Sequence, residues 1–270
     1  MQKILASVLF FLNVFVVYAE EPKLTFAFSE HELFPYQMGK GIYFPKENPG
    51  IYIEAVRFIE KQVPIKVVIK RIPTKRIWTE LEYGTVSSTG ASYKPSRKKF
   101  AIYPYKTDGE IDPNKSLLTG SYALYVLKKS SVGYNPKTNR FINISYKKGI
   151  VAEIGFSIVD DLRKSGNLIE ENAAGNYAML QQLSLKRIDG IVAHVQIIDD
   201  ILKKYPQEFK SISMAEPIIK TKNYYFVISH QFYKKYPKIS KQVWERSAEF
   251  RQKRLQKLQY KYRSLRKNEN

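Results

Sequence analysis

The sequence contains no cysteine. Structural disulfides, thiolate metal sites and a cysteine nucleophile are therefore excluded. Histidine is almost as scarce: His31, His194 and His230 are scattered, with no HxH or HxxxH spacing, so neither a zinc site nor any other cofactor is expected. No Ser-His-Asp order stands out either. Acid is short relative to base, with 25 Asp+Glu against 45 Lys+Arg and a formal net charge of +20. Such a chain stays soluble and attracts anions, whether nucleic acid, an anionic membrane surface or a small acidic solute.

What is present begins with bulk. The 270 residues are 44% hydrophobic, enough to bury a core in one large domain or two lobes. At the N-terminus, MQK is a short positive region and ILASVLFFLNVFVV an apolar run, and VYA places Val17 and Ala19 at the two small-residue positions of a cleavage site. Residues 1–19 read as a secretory signal peptide, because the run is shorter than the ~20 residues of a spanning helix and Glu20 and Glu21 follow at once. Cleavage removes one lysine and leaves +19. No cysteine follows the run, so no lipid anchor is expected and the mature chain reads as soluble and exported. Nucleic acid is not an expected partner outside the cytoplasm.

The first hundred residues alternate strand and helix. KLTFAF (23–28) is a strand, and IYIEAVRFIEKQ (51–62) carries Ile51, Ile53, Ala55, Val56, Phe58 and Ile59 at helical spacing. PIKVVIKRIP is a second strand. TKRIWTELEYG is a helix with Thr74 as N-cap and Gly84 past its end, and TVSSTGASY is a third strand. The theme recurs in strands at 121–131, 147–156 and 188–197, helices at 157–166, 176–187 and 197–209, and a late strand YYFVIS (224–229). An amphipathic helix runs from Tyr236. This pattern predicts parallel sheets with covering helices, in two successive halves. A ligand in such folds sits beyond the carboxyl ends of the strands, which directs attention to the strand-to-helix junctions.

In ASYKPSRKKFAIYPY (91–105), an arginine leaving a strand can grip a carboxylate with two parallel hydrogen bonds, and Ser92 can add a donor. The other reading is a solvated run of Lys94, Arg97, Lys98 and Lys99. At Gly155-Phe156-Ser157, free N–H groups and the serine hydroxyl suit an anion, or Ser157 is an ordinary N-cap. Phe34 and Tyr36 beside Pro35 either form an apolar wall for a ligand or simply pack. His194 follows a strand, where a lone histidine is more often packed or exposed than functional.

Together these segments resemble the periplasmic solute-binding proteins of family 3, the type II receptors of polar amino acid ABC transporters. The resemblance spans nearly all the mature chain. It rests on LFPYQ, NPGIYIEAVRFIEKQ, RIPTKRIWTELEYG, ASYKPSRKKFAIYP, VAEIGFSIVDDL and LSLKRIDGIVA in that order and spacing. It implies an α/β fold of two lobes, each a mostly parallel sheet flanked by helices, joined by a two-strand hinge. Lobe 1 would comprise 20–122 and 218–245, lobe 2 would comprise 123–217, and a basic C-terminal helix would occupy 246–270. It also implies that Arg97 binds a carboxylate, that Ser92 contacts the ligand, that Ser157 closes on it from the second lobe, and that Leu33 to Tyr36 lie near an aromatic platform. The chain departs from the pattern at three places. His194 stands where an aspartate would bind an α-amino group, Lys94 replaces a threonine, and Phe156 replaces another. An ammonium in a closed cleft needs a carboxylate or several carbonyls, and a histidine accepts only while neutral. A carboxylate without an amino group, or a larger ligand, is as open as an α-amino acid.

The implied function is capture of a small anionic or zwitterionic solute by hinge closure, in the periplasm, by a monomer that serves an ABC-type permease. Two alternatives are a dehydratase-like enzyme on the same fold, for which Glu32 and His194 are the only placeable acid–base groups, and a polyanion or membrane binder. In the C-terminal stretch, Arg251, Arg254, Lys257 and Lys261 recur every three or four residues. That face reads as a solvated, fraying helix, or else as a contact for an anionic surface.

Overall fold

The computed structural model describes residues 21–39, 41–145, 147–172 and 175–267. The signal peptide expected at 1–19 lies outside the described residues.

The first lobe is built from β1 (Lys23–Ser29), α1 (Ile51–Glu60), β2 (Lys66–Ile72), α2 (Thr74–Tyr83), β3 (Ser88–Ser92) and the short β4 (Ala101–Ile102). Strand β5 (Leu118–Leu127) leaves it. The second lobe holds a hairpin of β6 (Gly133–Asn135) and β7 (Arg140–Ile142), then β8 (Ile150–Glu153), α3 (Ser157–Lys164), β9 (Ile169–Asn172), α4 (Gly175–Ser184), β10 (Gly190–His194) and α5 (Val195–Lys204). Strand β11 (Ile212–Ser229) returns to the first lobe, followed by α6 (His230–Lys235), α7 (Pro237–Phe250), a π-helical turn (Arg251–Leu255) and α8 (Gln256–Lys267).

The main sheet runs β2-β1-β3-β11-β5-β10-β8-β9. Pairing is parallel within each lobe, β1 with β2 and β3, and β8 with β9 and β10. It is antiparallel where β5 and β11 pass between lobes. Strand β1 is buried on both faces, as parallel strands under helices are. Phe26 and Phe28 join Ile51, Ile59, Trp244 and Tyr262 in one cluster, while Ala27 packs with Ile77 and Leu81 of α2 in another. The sheet of the second lobe is likewise covered on both faces.

The late strand is three times longer than its apolar run predicts. Residues 216–222 of β11 are mostly exposed and polar, because the hinge has little core on either side. Residues 220–222 pair with β5 in an antiparallel ladder, while 216–219 have no β5 partner and Ile219 packs on the second-lobe core. A register shift between Ala215 and Lys220 bends that ladder. Two caps also differ from expectation. Pro73 and Phe156, rather than Thr74 and Ser157, precede α2 and α3. Both hydroxyls are used elsewhere: Thr74 Oγ1 donates to Ser29 Oγ, and Ser157 Oγ faces the other lobe.

The loop from β1 to α1 is held chiefly by Arg71, with Gln37 Nε2 also donating to the carbonyls of Ser29 and His31. Arg71 on β2 is buried, and its guanidinium donates to the carbonyls of Ser29, Glu30, His31, Met38 and Tyr43 at 2.9–3.2 Å. It lies 4.8 Å over the ring of Phe44. All five N–H donors of the fork are thereby used.

The basic C-terminal helix does not fray. Leu255 and Tyr262 are buried against the first lobe, with Leu258 and Leu265 packed beside them. The Tyr262 hydroxyl accepts the N–H of Gly50 at 2.7 Å, one of the orphan donors at the start of α1. Gly50 has φ 105°, and a Cβ there would sit 2.5 Å from the Tyr36 carbonyl oxygen, so the close approach requires glycine. The proposed cationic face is partly engaged. Arg251 bonds the carbonyls of Pro113 and Asn114 and the hydroxyl of Ser116.

Candidate functional site

A cavity of about 140 Å³ lies between the lobes, at the carboxyl ends of β1, β3, β8 and β10. The first lobe brings Ser92 and Arg97 to it from the turn after β3, Trp78 from α2, and Tyr36 from the loop that Arg71 holds. The second brings Gly155, Phe156 and Ser157 from the β8–α3 junction and His194 from the end of β10. The hinge strands add Tyr122 and Tyr224, whose hydroxyls bond each other.

Polar bonds join the lobes around this space. The Ser92 and Ser157 hydroxyls are 2.7 Å apart. Arg97 Nη2 donates to the Gly155 carbonyl at 2.8 Å while its Nη1 donates to the Ser92 carbonyl at 2.6 Å. The guanidinium is buried and stacks 4.5 Å from the Trp78 ring. The five-residue 3₁₀ turn Pro95–Lys99 aims it inward and leaves Lys98 and Lys99 exposed. Lys222 of β11 donates to Ser157 Oγ at 2.8 Å and pairs with Asp161 at 2.8 Å.

Six of the eight residues singled out in the sequence therefore share one cavity: Tyr36, Ser92, Arg97, Phe156, Ser157 and His194. Two do not. Phe34 turns into the core and packs edge-on against Tyr262, because the first lobe needs its ring under the C-terminal helix. Lys94 pairs with Asp160 of α3 at 3.0 Å, a carboxylate that faces it across the cleft. Glu32, the other acid–base candidate, accepts the N–H of Gly39 within its own loop. Trp78, Tyr122, Lys222 and Tyr224 carry no local signal of a site. They sit in an ordinary amphipathic helix or in the two hinge strands, and only long-range pairing brings them together.

His194 is buried in a box of aromatic edges, with ring centroids 5.3, 5.5 and 5.8 Å from those of Tyr36, Tyr122 and Tyr224. Its fourth side is the backbone of Gly120 on β5, where a Cβ would lie 1.9 Å from Nε2. Neither its Nδ1 nor the Tyr36 hydroxyl has a partner among the described residues. Burial pushes the His194 pKa down from 6.5 to about 4, so the ring is neutral at neutral pH. As pH falls, the unfolded chain takes up this proton first, so stability present above pH 6.5 is lost towards pH 4. The expected loss is about 1.4 kcal/mol per pH unit, roughly 3 kcal/mol over the window. Urea unfolding at several pH values measures it. In His194→Gln that part of the slope disappears, and an unchanged slope there would contradict the buried neutral ring.

The fold has counterparts over most of its length. A structure reported for glutathione import via GshT and the cystine ABC importer TcyBC of Streptococcus mutans matches with a TM-score of 0.67 at 16% identity, over 90% of this chain and 95% of that one. An ancestral arginine-binding protein bound to arginine matches at 0.63 and 14%, over 90% and 98%. The fold is that of a two-lobed periplasmic binding protein. A histidine kinase sensor domain with similarity to periplasmic binding proteins carries the binding-protein fold too, at 0.61 and 12%, over 92% of this chain and 96% of that one. No family model matches the chain, and no curated protein matches it in sequence. Among the described residues, no helix is long and apolar enough to cross a membrane, and no group of three His, Asp or Glu side chains could hold a metal ion.

Proposed function

We propose that this chain is an exported solute-binding protein that closes its two lobes on a small molecule and delivers it to an ABC-type permease. The observation that carries the reading is the cavity between the lobes, where Ser92 and Arg97 meet Gly155 and Ser157. In this reading lobe 1 comprises 20–122 and 218–245, lobe 2 comprises 123–217, and the C-terminal helix from 246 packs on lobe 1. The hinge is the β5–β11 ladder, which can bend where its register shifts. In this reading Arg97 holds a carboxylate with N–H groups that its two carbonyl bonds leave over. Tyr36, Phe156 and His194 pack on the body of the solute, and the Ser92–Ser157 bond closes over it. Lys94 acts on closure through Asp160 rather than on the ligand. The solute-binding proteins among the structural neighbours support this reading through the shared fold.

The test is a thermal-shift screen of the mature protein against a broad library of small metabolites, with small-angle scattering to follow closure. A hit should raise the melting temperature and shrink the radius of gyration. Arg97→Ala should weaken that hit by roughly 100-fold, about 2.7 kcal/mol, the cost of leaving a buried carboxylate unpaired. A hit that binds the variant equally well would remove Arg97 from the site. Affinity only for DNA or anionic vesicles, collapsing with salt, would replace the whole reading.

A further inference from the structure

Three properties of the cavity narrow the solute, provided that the solute-binding reading holds. The first is shape. The walls are dominated by rings, those of Phe28, Tyr36, Tyr52, Trp78, Tyr122 and Tyr224. The cleft offers about 140 Å³ between these walls and is partly open to solvent, comparable in volume with the roughly 150 Å³ apolar cavity that accepts benzene. That is the room of one ring with a short substituent. Flat faces on several sides favour a flat ligand, which stacks or meets ring edges without losing many rotamers.

The second is charge. Arg97 is the cation at the wall, and Lys222 stands directly behind Ser157. Glu153 is the one carboxylate among the described lining residues, and it accepts the amide N–H of Asn176 at 2.6 Å. His194, at the far wall, is held neutral by its burial. An ammonium group in this space would meet a guanidinium, with Lys222 close behind the wall, and only the Glu153 carboxylate, already bonded by Asn176, to set against them, so the balance of charge favours a solute without one. A carboxylate meets the opposite conditions.

The third is an unmet polar demand. The Tyr36 hydroxyl and His194 Nδ1 are buried without partners on the same side of the cavity, their rings in contact. Groups left so are costly unless something satisfies them. A hydroxyl or ring nitrogen on the solute, placed away from its carboxylate, would do so.

We propose that the site takes an aromatic or heteroaromatic monocarboxylate of a single ring, without an α-amino group, its carboxylate on Arg97 and its ring between the tyrosines. A polar ring substituent towards Tyr36 and His194 adds affinity.

Isothermal titration of the mature protein with matched probes decides this. Benzoate, 4-hydroxybenzoate and nicotinate are compared with phenylalanine, arginine and glutamine, and with benzamide and butyrate. The expected result is binding of the ring carboxylates, at least about tenfold weaker binding of benzamide and butyrate, and none of the α-amino acids. Tyr36→Phe should reduce any preference for 4-hydroxybenzoate over benzoate by about tenfold, the worth of one buried hydrogen bond. Binding of an α-amino acid in preference to the ring carboxylates overturns the inference and leaves the solute-binding reading intact. Failure of every probe also overturns it, and if the broad library fails as well, that reading falls with it. Equal binding of benzoate and butyrate would overturn the aromatic assignment alone.

Discussion

Arg71→Met is expected to destabilise the protein by about 4 kcal/mol, the cost of several buried carbonyls left unsatisfied at about 1–3 kcal/mol each. The reason is arithmetic in donors. One planar fork serves five carbonyls spread over residues 29–43. Methionine fills much of the space and supplies none of the donors. The carbonyls of Ser29 and His31 keep a bond from Gln37 Nε2, but those of Glu30, Met38 and Tyr43 lose theirs, each at up to about 1–3 kcal/mol unless water reaches it, and the loop will loosen to let water in. For a chain of this size the melting temperature should fall by roughly 8–16 °C. Arg71→Lys is the sharper comparison, since one ammonium can reach two or three of the carbonyls but has no fork. It should remain destabilised by at least about 2 kcal/mol. A lysine variant within about 0.5 kcal/mol of the parent, inside the noise of a neutral surface change, would show that the five bonds do not hold the loop. The loop also carries Leu33, Tyr36 and Gln37 to the cavity wall. Solute binding should therefore weaken in Arg71→Met even well below its melting temperature.

Gly120→Ala should abolish solute binding and cost about 3 kcal/mol of stability, the upper end for overpacking a core. The added methyl would lie 1.9 Å from His194 Nε2 and 2.7 Å from Cε1. The ring cannot yield sideways, because three tyrosine rings hold it. The backbone cannot yield cheaply either, since Gly120 is paired with Lys222 in the hinge ladder. The methyl is thus expected to push His194 into the cavity. The double variant Gly120→Ala/His194→Ala gives the check. Removing the ring makes room for the methyl, so the two changes should be strongly non-additive, with a coupling of about 2 kcal/mol. Additive effects in urea unfolding would show that the methyl clashes with something other than His194.

What could be read from the sequence was whatever is local. Helix α1 follows from Ile51, Ile53, Ala55, Val56 and Ile59 at helical spacing, and all five are buried. Gly84 ends α2 in the left-handed conformation as its position implies. That the junctions after β3 and β8 face a cavity was legible because a serine or arginine leaving a parallel strand has a crevice to face. Phe34 was not separable from Tyr36 by sequence: the two flank one proline, yet one ring enters the core and the other the cavity wall. Lys94 looked like a ligand contact until the fold set Asp160 opposite it. The C-terminal helix was misread for a different reason. Leu255, Leu258, Tyr262 and Leu265 form an apolar stripe at spacings of three and four, and all pack on the first lobe. The eight Lys and Arg residues of 251–267 hide that stripe in any count of composition. The first half of β11 had no signal to find, since Ile212–Ala215 and Lys220 are strand by partnership with β5.

The Lys94–Asp160 pair stands at the rim rather than on the cavity wall, so it contributes the same to the closed form whatever molecule is enclosed. A contribution common to all ligands cannot distinguish among them. It raises the closed population by one factor and lengthens every dwell time by that factor. Being partly exposed, the pair is worth about 1 kcal/mol or less and weakens with salt. On the proposed function, the rings and Arg97 would decide what is held and most of how long, and the ionic rim would add one common factor to every dwell time.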